Sequence, residues 1–345
     1  MEYLRGHLER ALNALWFAPR DTPVRRVIRI LLAPLSLIVR TVARRRRAAI
    51  RRSPAAFSPK VMVIGNLIVG GTGKTPATIA TARELANRGW RVGLLAGGYR
   101  AARSDARLVT PADDAAEHGD EPVLLASETG LPVAAGRQRA QALALLVRAH
   151  PDLDLVISDD GLQHSGLPRS IEVAVFDRRG AGNGCLLPAG PLREPIEVAA
   201  QMDALLLNAT SDAPVASIPA FRFSVEPVAF RALRDGRRVS CGDFARLAAG
   251  RSVVALAGIA QPQRFFDAIQ AIGIRAHHHP LPDHADISGE TLARLDASMI
   301  VMTTKDAVKC RIAADDRCWA LETGARLDTA FIEWIEERLR GQPIA

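Results

Sequence analysis

The chain has 345 residues, 48% of them hydrophobic and 24% charged, a composition that allows a large buried core in one large domain or two modest ones. Its net charge of +8 is not general: residues 1–60 carry 14 Lys and Arg against 3 Asp and Glu, and the remainder carries 31 against 34, which excludes a uniformly basic protein. Cys185, Cys241, Cys310 and Cys318 are scattered without a CxxC pair, which fits free thiols in a reducing compartment and argues against a structural zinc site.

Leu4, Leu8, Ala11, Leu12 and Leu15 recur at helical spacing, with Trp16 near the end and Pro19 stopping the pattern, so an amphipathic helix is predicted over 3–18. The apolar run Val27 to Val39 contains Arg29 and Pro34 and falls short of the roughly 20 residues that a spanning helix needs. It is expected to lie in a membrane interface, with Arg44 to Arg47, Arg51 and Arg52 among anionic headgroups on the cytoplasmic side. A pair of core-packing helices with a solvated basic loop is the alternative. The order of features that makes a secretory signal is missing from the first thirty residues.

Beyond Pro54 and Pro59, short apolar runs alternate with helical stretches. Strands are predicted at Val61–Ile64, Val92–Leu95, Leu153–Ser158, Val173–Phe176 and Ala204–Leu207, with helices from Pro76 to Arg88 and around Ala142, Leu145 and Leu146. This alternation implies a parallel sheet flanked by helices, with ligands beyond the carboxyl ends of the strands. The pattern loosens over 211–250, around Pro214, Pro219, Pro227 and the Asp235-Gly236 turn. A second unit then follows: a strand at Val253–Ala257, a helix carrying Phe265, Phe266, Ile269 and Ile272, a strand at Met299–Thr303 and a closing helix at Ala330–Arg340. The expected organisation is basic helices at 1–52, a P-loop core at 53–225, a linker at 226–250 and a smaller α/β domain at 251–345, whose last helix packs back on the core. The run His277, His278 and His279 reads as a solvated loop.

Gly70-Gly71-Thr72-Gly73-Lys74-Thr75 stands between a buried strand and a helix, the setting that a phosphate loop requires. Glycines let backbone amides converge on phosphate, the helix start adds positive potential, Lys74 reaches the outer phosphates of ATP and the Thr75 hydroxyl ligates Mg²⁺. Ile68 occupies a position where the generic consensus has glycine. Asp159 and Asp160 end an apolar strand, where acids serve a hard, octahedral metal; turn chemistry alone also accounts for an Asp-Asp-Gly sequence.

These residues resemble one family, the tetraacyldisaccharide 4′-kinases of lipid A synthesis. Gly65-Asn66-Leu67 with Val69 through Pro76 matches its loop, including the non-glycine at Ile68. Gly119-Asp120-Glu121-Pro122, Asp159 through His164, Gly182-Asn183-Gly184 with Leu187 through Glu194, Pro282-Asp283-His284 and Lys305 through Lys309 follow in family order, across roughly residues 61–310. The resemblance implies a P-loop NTPase-like α/β fold and an ATP- and Mg²⁺-dependent kinase that phosphorylates the 4′-hydroxyl of an acylated glucosamine disaccharide 1-phosphate. The implied place is the cytoplasmic face of the bacterial inner membrane.

By the same resemblance, Asp120 and His284 act as the catalytic pair with Lys74. An alcohol needs an acceptor for its proton, which a carboxylate supplies and an imidazole orients. Glu121, Arg139, His164, Arg193 and Glu194 are implied substrate-side or supporting residues. Arg193 suits a phosphate, and Arg139 equally suits a solvated helix start. Ala96 through Arg100 depart from the family's Ser-Arg-Gly-Tyr-Gly, and Thr304 stands where Glu often precedes Lys305. The rival reading is a membrane-bound switch ATPase of the partitioning type, which needs a partner and no acceptor-activating pair. A nucleic-acid-stimulated ATPase would want aromatics interleaved with the arginines, and aromatic residues make up 5% of the chain. No nucleic acid and no obligatory protein partner are expected.

Overall fold

The computed structural model describes residues 11–18, 21–50, 52, 59–98, 101–208, 211–215, 217–310 and 313–341. Leu4, Leu8, Pro19, Arg51, Pro54, Tyr99 and Arg100 from the sequence reading lie outside them. Residues 11–17 are helical, and Leu15 and Trp16 are buried. Helix α1 (Pro23–Ala48) joins the apolar run and the arginine cluster into one 26-residue element. The Thr22 side chain accepts from Arg25 N, Pro23 takes a position where its missing N–H costs nothing, and Arg45, Arg46 and Arg47 sit at the negative end of the helix dipole. No helix among the described residues is long and apolar enough to cross a membrane.

The apolar runs become the strands of one sheet. In chain order these are β1 (Lys60–Gly65), α2 (Lys74–Asn87), β2 (Val92–Ala96), β3 (Arg107–Val109), α3 (Asp120–Thr129), β4 (Val133–Ala135), α4 (Arg139–Ala149), β5 (Leu155–Asp159), β6 (Ile171–Phe176), β7 (Ala204–Asn208) and β8 (Ala220–Ala232). There follow β9 (Arg238–Ser240), α5 (Cys241–Ala248), β10 (Val253–Ala257), α6 (Pro262–Ala271), β11 (His277–Pro280), β12 (Met299–Thr303), α7 (Thr304–Cys310), β13 (Cys318–Leu327) and α8 (Thr329–Arg340). The sheet order is β11-β10-β12-β13-β8-β7-β6-β1-β5-β2-β4-β3, with β9 on β8. Pairing is parallel except at β13–β8, β8–β9 and β3–β4. Strands β1, β5 and β6 are almost wholly buried, as expected when helices cover both faces.

Residues 226–250, expected as a linker, are regular structure for much of their length. They hold the end of the 13-residue β8, then β9 and α5, and β8 pairs along its length with β13. Its burial is irregular and its Pro227 falls where the register with β13 shifts between Glu322 and Thr323, so a strand bearing a bulge reads in sequence as loosened structure. The stretch His277–Pro280 is likewise strand, paired with β10 at the sheet edge. Helix α8 packs Phe331, Ile332, Trp334, Ile335 and Leu339 into the same apolar layer as Ile64, Leu85 and Leu94.

Candidate active site

The loop after β1 is braced from within. Asn66 is fully buried and its Nδ2 donates to Gly70 O at 3.1 Å and to Thr72 Oγ1 at 3.3 Å. Gly73, the N-cap of α2, has φ +94°, and a Cβ there would lie 2.8 Å from Asn208 Nδ2, so glycine is required on both backbone and packing grounds. Asn208 Nδ2 also donates to Thr72 O at 3.1 Å. Gly71 has open space where a side chain would be, and its carbonyl accepts from Arg179 Nη2 at 2.9 Å and Gln261 Nε2 at 2.7 Å. The result is a rigid turn whose amides and helix start can receive an anion.

Because β1 pairs with β5 in register at Ile64 and Asp159, the acids at the end of β5 emerge beside this loop. Asp159 accepts from Thr75 Oγ1 at 2.8 Å and Thr78 Oγ1 at 3.1 Å. Burial, reinforced by the nearby Glu121 charge, pushes its carboxyl up to about 6. Asp160 has φ +51°, uncommon outside glycine, and this turns its carboxylate towards Lys74 Nζ at 3.6 Å and Arg193 Nη1 at 3.1 Å. Burial opposes its charge, but Lys74 and Arg193 outweigh burial and hold its pKa well below the usual carboxylate range. The two neighbouring acids thus differ: Asp159 joins the threonine of the loop and Asp160 joins the cations.

Arg139 is not a solvated helix start. It is 5% exposed, donates from Nη1 to Gly136 O at 2.9 Å and from Nη2 to Asp159 O at 3.4 Å, and burial lowers its pKa. A Cβ at Gly97 would lie 2.9 Å from its Nη2, so the guanidinium packs directly on this glycine.

Asp120 starts α3, and His284 lies in the loop after β11. Their side chains meet, His284 Nδ1 lying 2.8 Å from Asp120 Oδ2. His284 has φ +58°, a second left-handed non-glycine residue at the site. Burial works against the Asp120 charge, yet His284, Lys305 and Lys309 outweigh it and hold the carboxyl below its ordinary value. Helix α7 packs against α3 and brings Lys305 Nζ to 3.3 Å from Glu121 Oε1 and 3.2 Å from His284 Nε2. Lys74, Asp159, Asp160, Glu121, Asp120 and His284 therefore form one connected field of charge.

The loop after β5 carries the remaining residues. Gln163 Nε2 donates to Asn66 O at 3.2 Å and to Glu194 Oε1 at 2.8 Å, and Arg193 Nη1 donates to Gln163 Oε1 at 3.2 Å. Glu194 is buried, which raises its pKa; it braces Gln163. Burial, aided by Arg139, lowers His164 to about 4, so its imidazole is neutral at pH 7. His164, Asp160 and Arg193 line a cavity of ≈ 490 Å³ whose other wall is α1, through Ile38, Val42 and Arg46. Helix α1 is tied down by Ser36 Oγ donating to Leu186 O at 2.9 Å and by Arg47, whose Nη1 and Nη2 each donate to the buried Glu172 carboxylate at 2.7 Å. The same helix leaves Val24, Val27, Ile30, Leu31, Leu35 and Leu37 exposed, continuous at helical spacing with Ile38 and Val42 of the cavity wall.

All the site residues expected from sequence lie in this region. Sequence reasoning gave no role to Lys305 and Gln163, although both stand in the quoted blocks, and it missed Asn208 and Arg179, which touch the loop from β7 and from the turn after β6 and carry no local signal.

Comparison with known proteins bears on the family and the fold. The sequence model of the tetraacyldisaccharide-1-P 4′-kinase family matches residues 28–340. The chain is 42% identical over 323 residues to the tetraacyldisaccharide 4′-kinase of Bordetella parapertussis, covering 90% of this chain and 93% of that protein. It is 39% identical over 340 residues to the enzyme of the same name from Dechloromonas aromatica, covering 98% and 100%. Its fold is similar to the crystal structure of LpxK from Aquifex aeolicus in complex with ATP, with a TM-score of 0.75 at 24% identity over 90% of this chain and 99% of that one.

Proposed function

Because the chain belongs to the tetraacyldisaccharide 4′-kinase family, matched over residues 28–340, we propose that its phosphate loop, Asp159, Asp120 and His284 together form the centre of that family's reaction. The protein is a kinase of lipid A synthesis that uses ATP to phosphorylate the 4′-hydroxyl of tetraacyldisaccharide 1-phosphate, giving the bisphosphorylated precursor. In our assignment the amides of Gly70 to Gly73 and the Lys74 ammonium hold the outer phosphates, and Arg193 keeps Asp160 and Lys74 in place. Preorganised positive charge of this kind is what phosphoryl transfer requires.

Thr75 and Asp159 are the residues that would hold Mg²⁺. They fit it: both offer hard oxygen within 2.8 Å of each other, and Asp159 is an acid whose burial disfavours a charge that a cation would restore. Among the described residues no three His, Cys, Asp or Glu side chains cluster to hold a metal ion, which agrees with a Mg²⁺ bound by one or two protein oxygens together with nucleotide phosphates. Bound Mg²⁺ would neutralise charge that gathers on the phosphates.

Asp120 takes the proton of the 4′-hydroxyl, and His284 fixes the direction of that carboxylate. The observation that carries this assignment is the 2.8 Å contact of Asp120 with His284, made by α3 and a distant loop, beside Glu121 whose charge acts on Asp159. A switch ATPase has no use for such a pair. The cavity between α1 and the His164 loop receives the disaccharide, and the exposed apolar row on α1 with Arg44, Arg45 and Arg46 meets lipid tails and anionic headgroups on the cytoplasmic side. Residues 1–52 act as the membrane-facing unit, with 53–225 and 251–345 as core and smaller unit. No nucleic acid or obligatory protein partner enters the reaction.

The test incubates purified protein with ATP, Mg²⁺ and tetraacyldisaccharide 1-phosphate and follows the lipid by mass spectrometry. One added phosphate in the wild type and none with Asp120→Ala, at retained ATP affinity, is expected; a full rate for Asp120→Ala would remove it from the base role.

A further inference from the structure

Lys305 is the first turn of α7, and neither the phosphate chemistry nor the acceptor base employs it in the assignment above. Its side chain is 21% exposed and its Nζ lies among three groups of the site. It is 3.2 Å from His284 Nε2, 3.3 Å from Glu121 Oε1 and 3.8 Å from Asp120 Oδ2. The position is built. Asp306, the next residue, is fully buried, accepts from Gly258 N at 3.1 Å and Thr303 Oγ1 at 2.7 Å, and pairs with Lys309 Nζ at 2.5 Å, which anchors the start of α7. The same Gly258 fixes the histidine loop, its carbonyl accepting from His284 N at 3.1 Å. Lysine and histidine therefore hang from one turn at the end of β10.

The chemistry of the contact is asymmetric. An ammonium has three donors and no acceptor, whereas neutral imidazole has one donor and one acceptor nitrogen. Two groups face Nε2, the Lys305 ammonium at 3.2 Å and Asp283 Oδ1 at 3.7 Å, and the nearer ammonium calls for an acceptor there. The ring proton then sits on Nδ1, the nitrogen that faces Asp120 Oδ2 at 2.8 Å. Burial works against the Lys305 charge, but Glu121, Asp120 and Asp283 outweigh it and raise its pKa above the ordinary lysine value, so the donor is present throughout the neutral range.

We propose that Lys305 is a positioning residue of the kinase: by donating to Nε2 it selects the Nδ1–H tautomer of His284, which then holds the Asp120 carboxylate in the direction needed to accept the proton of the substrate alcohol. This rests on the assignment of Asp120 and His284 to that step. Without the ammonium, the Asp283 carboxylate, whose Oδ1 lies 3.7 Å from Nε2, draws the ring proton to that nitrogen and leaves the lone pair of Nδ1 against the Asp120 carboxylate. That pairing is repulsive, so the ring or the acid turns away. A wrong tautomer beside an intact acid is a loss of rate with retained nucleotide binding.

The test uses full-length protein labelled with ¹⁵N-histidine, with His284→Asn to identify the ring signals, and compares wild type, Lys305→Met and Lys305→Arg. The wild type is expected to show a pyridine-type Nε2 and a protonated Nδ1 at His284. Lys305→Met should lose that pattern and lower kcat at least about tenfold, with the KM for ATP within about twofold, and Lys305→Arg, which keeps a donor, should restore both in large part. A wild-type kcat for Lys305→Met, or an unchanged His284 nitrogen pattern in it, overturns the proposal, as does equal loss in Lys305→Met and Lys305→Arg when both bind ATP normally. The underlying assignment fails separately: Asp120→Asn and His284→Asn would then retain their rate, whatever the nitrogen signals of Lys305→Met show.

Discussion

Replacing Glu172 by Gln should destabilise the protein by about 3 kcal/mol, at the lower end of what breaking a buried ion pair removes. The Glu172 side chain is fully buried and meets three arginines: Arg47 at 2.7 Å, Arg169 at 3.0 Å and Arg52 at 3.3 Å. Arg169 is itself fully buried, so neutralising the carboxylate strands a charge that cannot reach water. The loss is moderated because Arg169 also donates to the carbonyl oxygens of Leu162, Leu167 and His164. Arg52 is 45% exposed and contributes little. Arg47→Ala leaves the Arg169 pair intact, and Arg47 keeps 14% exposure, so it should cost about 1 kcal/mol. Urea unfolding of both variants and their double mutant measures the coupling. Since Arg47 ties α1 over the cavity, both should also raise the KM for the lipid acceptor while leaving that for ATP alone. A Glu172→Gln protein within about 0.5 kcal/mol of wild type, or an Arg47→Ala change as costly as it, would refute this account of the cluster.

Gly73→Ala should abolish most ATP binding, because the added methyl group meets Asn208 Nδ2 at 2.8 Å and the left-handed backbone at φ +94° resists a side chain; nucleotide titration by calorimetry checks this. Asp120→Ala should lower kcat by roughly 10²–10⁴ with ATP affinity kept. Because the Asp120 pKa is depressed, the carboxylate is present above its unfolded value and lost only as pH falls through the lower folded one, so any activity change between pH 5 and 8 should survive in Asp120→Glu. Exchanging Arg44, Arg45 and Arg46 for Glu should weaken association with anionic vesicles by several kcal/mol, read by flotation; unchanged flotation would place the attachment elsewhere.

The apolar runs at Val61–Ile64, Val92–Leu95, Val173–Phe176 and Ala204–Leu207 are legible as strands because each is buried on both faces and needs no partner to be recognised. Glycines at fixed offsets before Lys74 and acids at the end of β5 are legible for the same local reason: the loop and the strand end dictate their own chemistry. Residues 220–232 were hidden, since half-exposed β8 with its proline gains strand character only by pairing with β13. The division of labour between Asp159 and Asp160 was hidden too. Adjacent acids look alike until a left-handed turn aims one at Thr75 and the other at Lys74 and Arg193.

Composition, periodicity and the short motifs determined the alternating α/β layers, the phosphate loop and the basic, apolar N-terminal region. Tertiary structure alone decided that Lys305 joins the Asp120–His284 pair, that Arg139 is buried against Gly97 and that α1 walls a cavity beside His164. The physical reason is range: a turn or strand is written by neighbours a few residues apart, whereas burial, hydrogen-bond direction and the charge state of an acid depend on groups that the chain brings together only when the sheet is complete.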